Sequence, residues 1–336
     1  MPSIHWSIEK LSLPLRYTWK ISRNATDEKT NLIVRCADGS YVGKGEAAPN
    51  IRYGESPEVL LTQFERFANT APPDFASVDE LQAHCHQCEV AYALRFAIES
   101  AWYHLRAGGR REQLQRTLNV EFIDHSATSY TIPIMEPGVV KSFYDNQRLK
   151  RFPYIKLKVN RELAEDLTRQ VVSFSNAPVM LDANEAFTDV EDCIRFLEKI
   201  KKLPLELVEQ PLPSSMREES TYLKKYCPFP LFADEAITHD PDFEWLLNSF
   251  DGINMKLMKA GGYSNGLRIL REARHHRLRT MIGCMVETSL GISSALNIIS
   301  MADYVDLDSF ILLQKEPFGL LTEFEGRLSF NDSDRL

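Results

Sequence analysis

The sequence predicts an α/β fold, a (β/α)8 barrel carrying an N-terminal α+β capping domain. Three observations predict it. From about residue 130, eight short apolar runs rich in β-branched residues alternate with helical stretches. Successive runs start roughly 22–28 residues apart, about one βα unit each. The first part of the chain follows another pattern, strands first and helices after. Repeated βα units require parallel strands and right-handed crossovers, and eight of them close a barrel. An open doubly wound sheet is the alternative, but no GxGxxG follows the first strand to support it. The predicted division is a cap over 1–127, a barrel over 128–310 and a C-terminal segment, 311–336, packing back on the cap.

Taken in order, Ile4 to Leu13 partly alternates, and Asn31–Cys36 runs into the turn Ala37-Asp-Gly-Ser40. Tyr41–Glu46 then returns, which reads as a hairpin. Ser56-Pro57 offers a cap and a first-turn proline to a helix over Glu58–Phe67. Val90–Leu105 has apolar residues at helical spacing and stops at Gly108-Gly109. The eight barrel runs are Tyr130–Met135, Tyr154–Val159, Pro178–Leu181, Leu205–Val208, Pro230–Ala233, Gly252–Met255, Thr280–Gly283 and Tyr304–Leu307.

In a barrel, chemistry gathers at the C-terminal ends of the strands. Lys156 and Lys158 are two apart and share one strand face, while Ile155, Leu157 and Val159 face the helices. Both ammonium groups then point into the barrel mouth. Burying two neighbouring lysines depresses the pKa of at least one, a route to a basic amine near neutral pH. Run three ends in Asp182, run four in Glu209 and run five in Asp234. Three carboxylates at one height repel unless a cation lies among them, and Mg2+ with its oxygen ligands is the natural choice. Run six ends in Lys256, across the barrel from run two. Run seven leads to Glu287 and Thr288, read as substrate-binding, and run eight ends in Asp306-Leu-Asp308. One polar residue after a strand is usually a cap. Lys-x-Lys, Asp, Glu, Asp and Lys on successive strands are much harder to obtain by accident. A cation between two opposed lysines suits proton abstraction beside a carboxylate, with one amine removing the proton and the other returning one to the opposite face.

These segments carry a resemblance. Lys156-x-Lys158, LDAN at 181–184, VEQP at 208–211, ADE at 233–235, NMKLMKAGG at 254–262 and GCMVETSLGIS at 283–293 together resemble the enolase superfamily, whose sites pair a basic residue with Mg2+. The lysine arrangement is similar to the muconate-lactonizing subgroup, and Asp306-x-Asp308 to its dipeptide epimerases. The resemblance implies a Mg2+-dependent epimerase inverting Cα of a dipeptide's C-terminal residue. It implies that Asp182, Glu209 and Asp234 bind the metal and that Lys158 and Lys256 are the acid/base pair. By the same resemblance, Lys156 assists at the substrate carboxylate and holds down the pKa of Lys158, and Asp306 and Asp308 hold the substrate's α-ammonium group. Specificity is expected from two cap loops, Thr18–Asp27 and Asn50–Glu55. Arg23 and Arg52, with Tyr53 beside the latter, could meet an acidic side chain, which favours an Ala-Glu dipeptide of the cell-wall kind. The same two arginines also read as plain surface residues. Several positions depart from the family: Glu185 and Phe187 replace Gln and Trp, Ala236 replaces Ser, Pro133 interrupts the first barrel strand, and the glycine-rich tail after Asp308 is short.

The 336 residues are 44% hydrophobic and 26% charged, an ordinary globular balance. A net charge of −8 argues against nucleic acid as a partner. No apolar run reaches the roughly 20 residues that span a bilayer. Glu9 and Lys10 interrupt the stretch a signal peptide would need, so a cytoplasmic location is expected. Homo-oligomerisation is compatible with a barrel of this type. The six cysteines show no disulfide framework. Cys85-x-x-Cys88 has no second ligand pair for zinc and reads as structural thiols. Rival readings are a cycloisomerase, an o-succinylbenzoate synthase or an N-acylamino acid racemase, none with an ammonium to hold. Others are a non-catalytic metabolite-binding barrel, and a phosphate-gripping loop at Gly261-Gly262.

Overall fold

The structure, a computed structural model, describes residues 3–332. The N-terminal strands are β1 (His5–Lys20), β2 (Ala25–Ala37) and β3 (Val42–Ala47), an antiparallel sheet in that order. Leu32, Val34 and Cys36 alternate along β2 and turn one face toward the cap helices. A Cβ at Gly43 or Gly45 would stand 2.0 Å from the carbonyl oxygens of Ala101 and Ala97, so only glycine lets a helix lie this close to β3.

Four helices follow, where the spacing indicated two. They are α1 (Pro57–Thr70), α2 (Val78–Gln87), α3 (Tyr92–Arg106) and α4 (Arg111–Leu118). Ser56 caps α1 by accepting from the Val59 amide, and Pro57 fills its first turn. The polarity of α2 hid it: it buries only Leu81 and Cys85. In α4 half the buried face is Arg111 and Gln115, so hydrophobic periodicity fails there as well. Cys85 packs in the cap core and Cys88 ends α2; all six cysteines are free thiols.

After β4 (His125–Ala127), all eight barrel runs form strands. These are β5 (Ser129–Ile132), β6 (Tyr154–Lys158), β7 (Val179–Asp182), β8 (Leu205–Glu209), β9 (Leu231–Ala233), β10 (Gly252–Met255), β11 (Arg279–Gly283) and β12 (Tyr304–Asp306). They pair in parallel and in chain order, with helices α5 (Pro137–Asn146), α6 (Ala164–Phe174), α7 (Val190–Ile200), α8 (Arg217–Lys224), α9 (Phe243–Ser249), α10 (Leu257–Ala260), α11 (Tyr263–His275) and α12 (Ser289–Leu296) between them. Ile155, Leu157 and Val159 join the outer core, as the alternation of β6 requires. Met180, Leu207, Phe232, Met281 and Tyr304 form a separate apolar floor inside. Side chains close the seam between β12 and β5. Ser129 Oγ donates to Asp306 at 2.7 Å, and the Thr131 amide donates to Asp308 at 2.5 Å.

The chain after the barrel adds β13 (Leu321–Phe324) and β14 (Arg327–Phe330), which form a hairpin against β4. Gln314 reaches the cap, its amide donating to Pro14 O at 2.9 Å. No helix among the described residues is long and apolar enough to cross a membrane.

Two buried cap glutamates join the cap to the barrel. Glu46 of β3 accepts from the Thr288 and Gly291 amides at 3.1 and 3.0 Å and from Thr288 Oγ1 at 2.5 Å, at the start of α12. Glu99 of α3 accepts from the Ser264 amide and hydroxyl at 2.8 and 3.0 Å, at the start of α11. A helix N-terminus presents unpaired amides and a partial positive charge, which a carboxylate satisfies. Burial nevertheless pushes Glu99 up from 4.5 to about 7. The folded state then binds more protons than the unfolded chain between those values, so this group's stabilisation falls as pH rises through that window. The stability difference between wild type and Glu99→Gln, measured by urea unfolding, is expected to shrink by roughly 3 kcal/mol across it, at about 1.4 kcal/mol per pKa unit. A difference independent of pH would contradict the assignment.

Candidate active site

Lys158, Asp182 and Glu209 sit side by side in the ladder: Lys158 pairs in register with Asp182, and Asp182 with Glu209. Asp234 follows β9 directly and Lys256 follows β10. All eight strand-end lysines and carboxylates singled out by the sequence are buried at this end of the barrel, and one cavity of about 720 Å3 opens above them. Lys156, Lys158, Lys256, Asp234, Asp306 and Asp308 line it. Asp182 and Glu209 lie beneath, fully covered. Strands β6 and β10 are four apart in an eight-strand ring, so Lys158 and Lys256 rise from opposite walls.

The loops after β7 and β8 are bent sharply. Asn184, Glu185 and Gln210 adopt positive φ of 43°, 66° and 37° without being glycines. Such residues persist where their surroundings hold them, and they cluster at functional sites. Gln210 provides part of that hold, its side-chain oxygen accepting from the Asp234 and Ala236 amides at 3.0 and 3.1 Å.

Ion pairs connect the lysines to the acids. Lys158 Nζ lies 2.5 Å from Asp182. Lys156 lies 2.7 Å from Asp306, 2.9 Å from Glu209 and 3.1 Å from Asp182. Lys256 lies 2.9 Å from Asp234. Burial opposes charge on Lys156, but Asp306, Glu209 and Asp182 outweigh it and hold its pKa well above the ordinary value. Burial likewise opposes charge on Lys256, and Asp234 overrides it, so its pKa rises too. At Lys156 the expected depression is not seen, because the acids around it outweigh desolvation. Among the acids, burial resists ionisation of Asp182, yet Lys158 and Lys156 bring it down to about 2. Burial, with Asp182 beside it, pushes Glu209 up to about 8. Burial and neighbouring Asp306 push Asp308 up to about 7.

The donor set fits a hard divalent cation. Asp182, Glu209 and Asp234 each offer an oxygen within 4.8 Å of the others, and all three are buried. Glu209 Oε2 is fully covered and faces the Lys156 ammonium at 2.9 Å, a cation already drawn to the place where a metal would sit. Carboxylate oxygens at this spacing are what Mg2+ takes as ligands.

Three residues beyond the predicted set belong to the same charge network. Lys259 lies 2.6 Å from Asp234 Oδ1, and Asn254 Nδ2 donates to Glu209 at 2.8 Å. Glu235 accepts from Asn184 Nδ2 at 3.2 Å. The three-residue step from Lys256 to Lys259 spans one helical turn across α10 and was a readable signal. Nothing in the pattern around Asn254 marked it.

Some expected placements differ. Arg23, Arg52 and Tyr53 do line the cavity, but both arginines are engaged by Glu185, at 2.9 and 2.6 Å. Glu287 and Thr288 are buried away from the lining. Thr288 binds Glu46, and Glu287 accepts from the Met285 amide at 2.8 Å. Thr288 thus builds the joint with the cap, and Glu287 braces its own loop, in place of the expected substrate contacts. At Gly261-Gly262 the space for a phosphate is filled: a Cβ on Gly262 would meet Glu99 at 2.2 Å.

A profile of the enolase C-terminal domain-like family matches residues 140–312. The chain belongs to that family. It is similar to an L-Ala-D/L-amino acid epimerase of Pedosphaera parvula, at 32% identity over 95% of this chain and 93% of that one. It is similar to a hydrophobic dipeptide epimerase of a Flavobacteria bacterium, at 31% identity over 93% and 91%. Among solved structures, the substrate-liganded L-Ala-D/L-Glu epimerase of Bacillus subtilis superposes with a TM-score of 0.90 at 25% identity, covering 100% of this chain and 97% of that one.

Removing one carboxylate of the cluster should show whether it is a metal site. Glu209→Gln is expected to weaken binding of Mn2+, a spectroscopic stand-in for Mg2+, by about tenfold or more, read from free Mn2+ by electron paramagnetic resonance. Unchanged Mn2+ affinity would contradict the ligand assignment.

Proposed function

We propose that the protein is an isomerase, a Mg2+-dependent dipeptide epimerase that inverts Cα of the C-terminal residue. One observation carries the reading: two buried lysines on opposite walls of a barrel whose intervening strands end in three buried carboxylates. Asp182, Glu209 and Asp234 would hold Mg2+, which supplies Lewis-acid stabilisation to the substrate carboxylate as negative charge develops there. As metal ligands, Asp182 and Asp234 would release Lys158 and Lys256 from their ion pairs, leaving one amine to act as the base. That lysine takes the α-proton, giving an enediolate. The opposite lysine, entering as an ammonium, delivers a proton to the other face. Lys156 positions the acids around the substrate carboxylate through its contacts with Glu209 and Asp306.

Asp306 and Asp308 favour a dipeptide over the other substrates of related enzymes. Both are buried, both line the cavity, and they stand at the seam across from the metal-ligand strands. An α-ammonium group is the cation such a pair receives. The similarity to enzymes named for L-Ala dipeptides supports an L-alanyl first residue. The division into cap (1–127), barrel (128–310) and tail (311–336) belongs to the same proposal, with β4 at the first boundary pairing with the tail strand β14. The net charge of −8 supports the absence of a nucleic-acid partner; a small dipeptide as the partner and a cytoplasmic location belong to the same proposal. A homo-oligomer is compatible with the same reading.

Incubation with Mg2+ and a panel of L-Ala-L-X dipeptides in D2O is expected to yield the L-Ala-D-X epimer carrying one deuterium at Cα, followed by mass and chiral chromatography. Asp306→Leu is expected to lower this turnover by about a hundredfold or more. Epimerisation without solvent deuterium, or full activity in Asp306→Leu, would contradict the reading.

A further inference from the structure

The two cavity arginines come from separate cap loops, and a single barrel carboxylate holds both. Glu185 Oε2 lies 2.9 Å from Arg23 Nη1, and its Oε1 lies 2.6 Å from Arg52 Nη2. Oε1 also accepts from the Ser214 amide at 2.8 Å. Arg23 is shared further with Glu235, at 2.7 Å. The Glu185 side chain is 5% exposed, whereas the arginines are 33% and 30% exposed. The acid is thus sealed behind the guanidinium groups, and the guanidinium groups face the cavity.

The position of this cluster says which part of a dipeptide it meets. Glu185 follows metal-ligand candidate Asp182 by three residues, and Glu235 follows Asp234 directly. The cluster therefore stands over the strands that receive the substrate carboxylate. Asp306 and Asp308, proposed for the α-ammonium end, stand at the seam with β5. The residue whose carboxylate enters at β7–β9 is the C-terminal one, so its side chain approaches Arg23 and Arg52. Two guanidinium and two carboxylate groups balance there. Within this cluster both guanidinium groups are already paired, so an acidic side chain must compete with Glu185 for them, while a neutral one meets a balanced group of charges.

We propose that Glu185 sets the side-chain preference of the epimerised residue by occupying both arginines, so that neutral side chains are favoured over acidic ones. This rests on the dipeptide reading and deepens it.

The test compares kcat/KM for L-Ala-L-Glu and for its neutral isostere L-Ala-L-Gln, in wild type and in Glu185→Gln. The variant keeps the length of the side chain and the acceptor for the Ser214 amide. Wild type is expected to prefer the glutamine dipeptide. Glu185→Gln is expected to shift the ratio toward the glutamate dipeptide by about tenfold or more. If Glu185→Gln does not fold, Glu185→Asp, one methylene shorter and unable to reach both guanidinium groups as well, should shift the ratio the same way by less. A wild-type preference for L-Ala-L-Glu, or a ratio unmoved in the folded variant, overturns the inference and leaves the epimerase reading intact. No deuterium uptake into any dipeptide overturns both.

Discussion

An imbalance of buried charge governs this barrel. Six buried carboxylates, Asp182, Glu209, Asp234, Glu235, Asp306 and Asp308, share its mouth with four buried lysines, Lys156, Lys158, Lys256 and Lys259. The excess of acid is what a divalent cation would neutralise, and the acids sit where its ligands would be. In the protein alone the excess is relieved in another way: burial and like charge push Glu209 to about 8 and Asp308 to about 7. Ion pairs account for the rest, since a buried charge without a partner is far more costly than a paired one. The lysines pair with the acids in the protein alone, and in the proposed reading a bound cation would free them for the substrate.

The same use of buried acids recurs in the scaffold. Glu46 and Glu99 of the cap reach the N-termini of α12 and α11 in the barrel, and Glu55 accepts from the Ala93 amide at 3.1 Å near the start of α3. Each carboxylate replaces water at helix amides that would otherwise be buried unpaired. The two that cross between units tie the cap down beside the strand ends, and from there its loops carry Arg23 and Arg52 over the cavity. Specificity can then lie in the cap and proton chemistry in the barrel, with Glu185 a point where the two touch.

Much of this was legible in the chain. Parallel barrel strands are covered on both sides, so each reads as a short apolar run, and the chemistry at their ends follows from the fold. That is why β5–β12 and the lysines and acids at their ends could be located from spacing alone. Contacts between distant segments left no such trace. Nothing near Glu185 announces Arg23, which lies 162 residues earlier, and nothing near Thr288 announces Glu46. Helices α2 and α4 were missed because their buried faces are small or polar. Desolvation and like charge alone would lower the pKa of Lys156, and the acids that raise it come from four other strands, out of sight of its local sequence.

The central claim is that two amines reach one carbon from opposite faces. Single-lysine variants in D2O test it most directly, with each stereoisomer supplied separately. Lys158→Ala and Lys256→Ala should both lose epimerisation, and any residual deuterium exchange should be confined to one stereoisomer and be opposite in the two variants. Epimerisation surviving in both, or exchange of the same stereoisomer in each, would contradict the account.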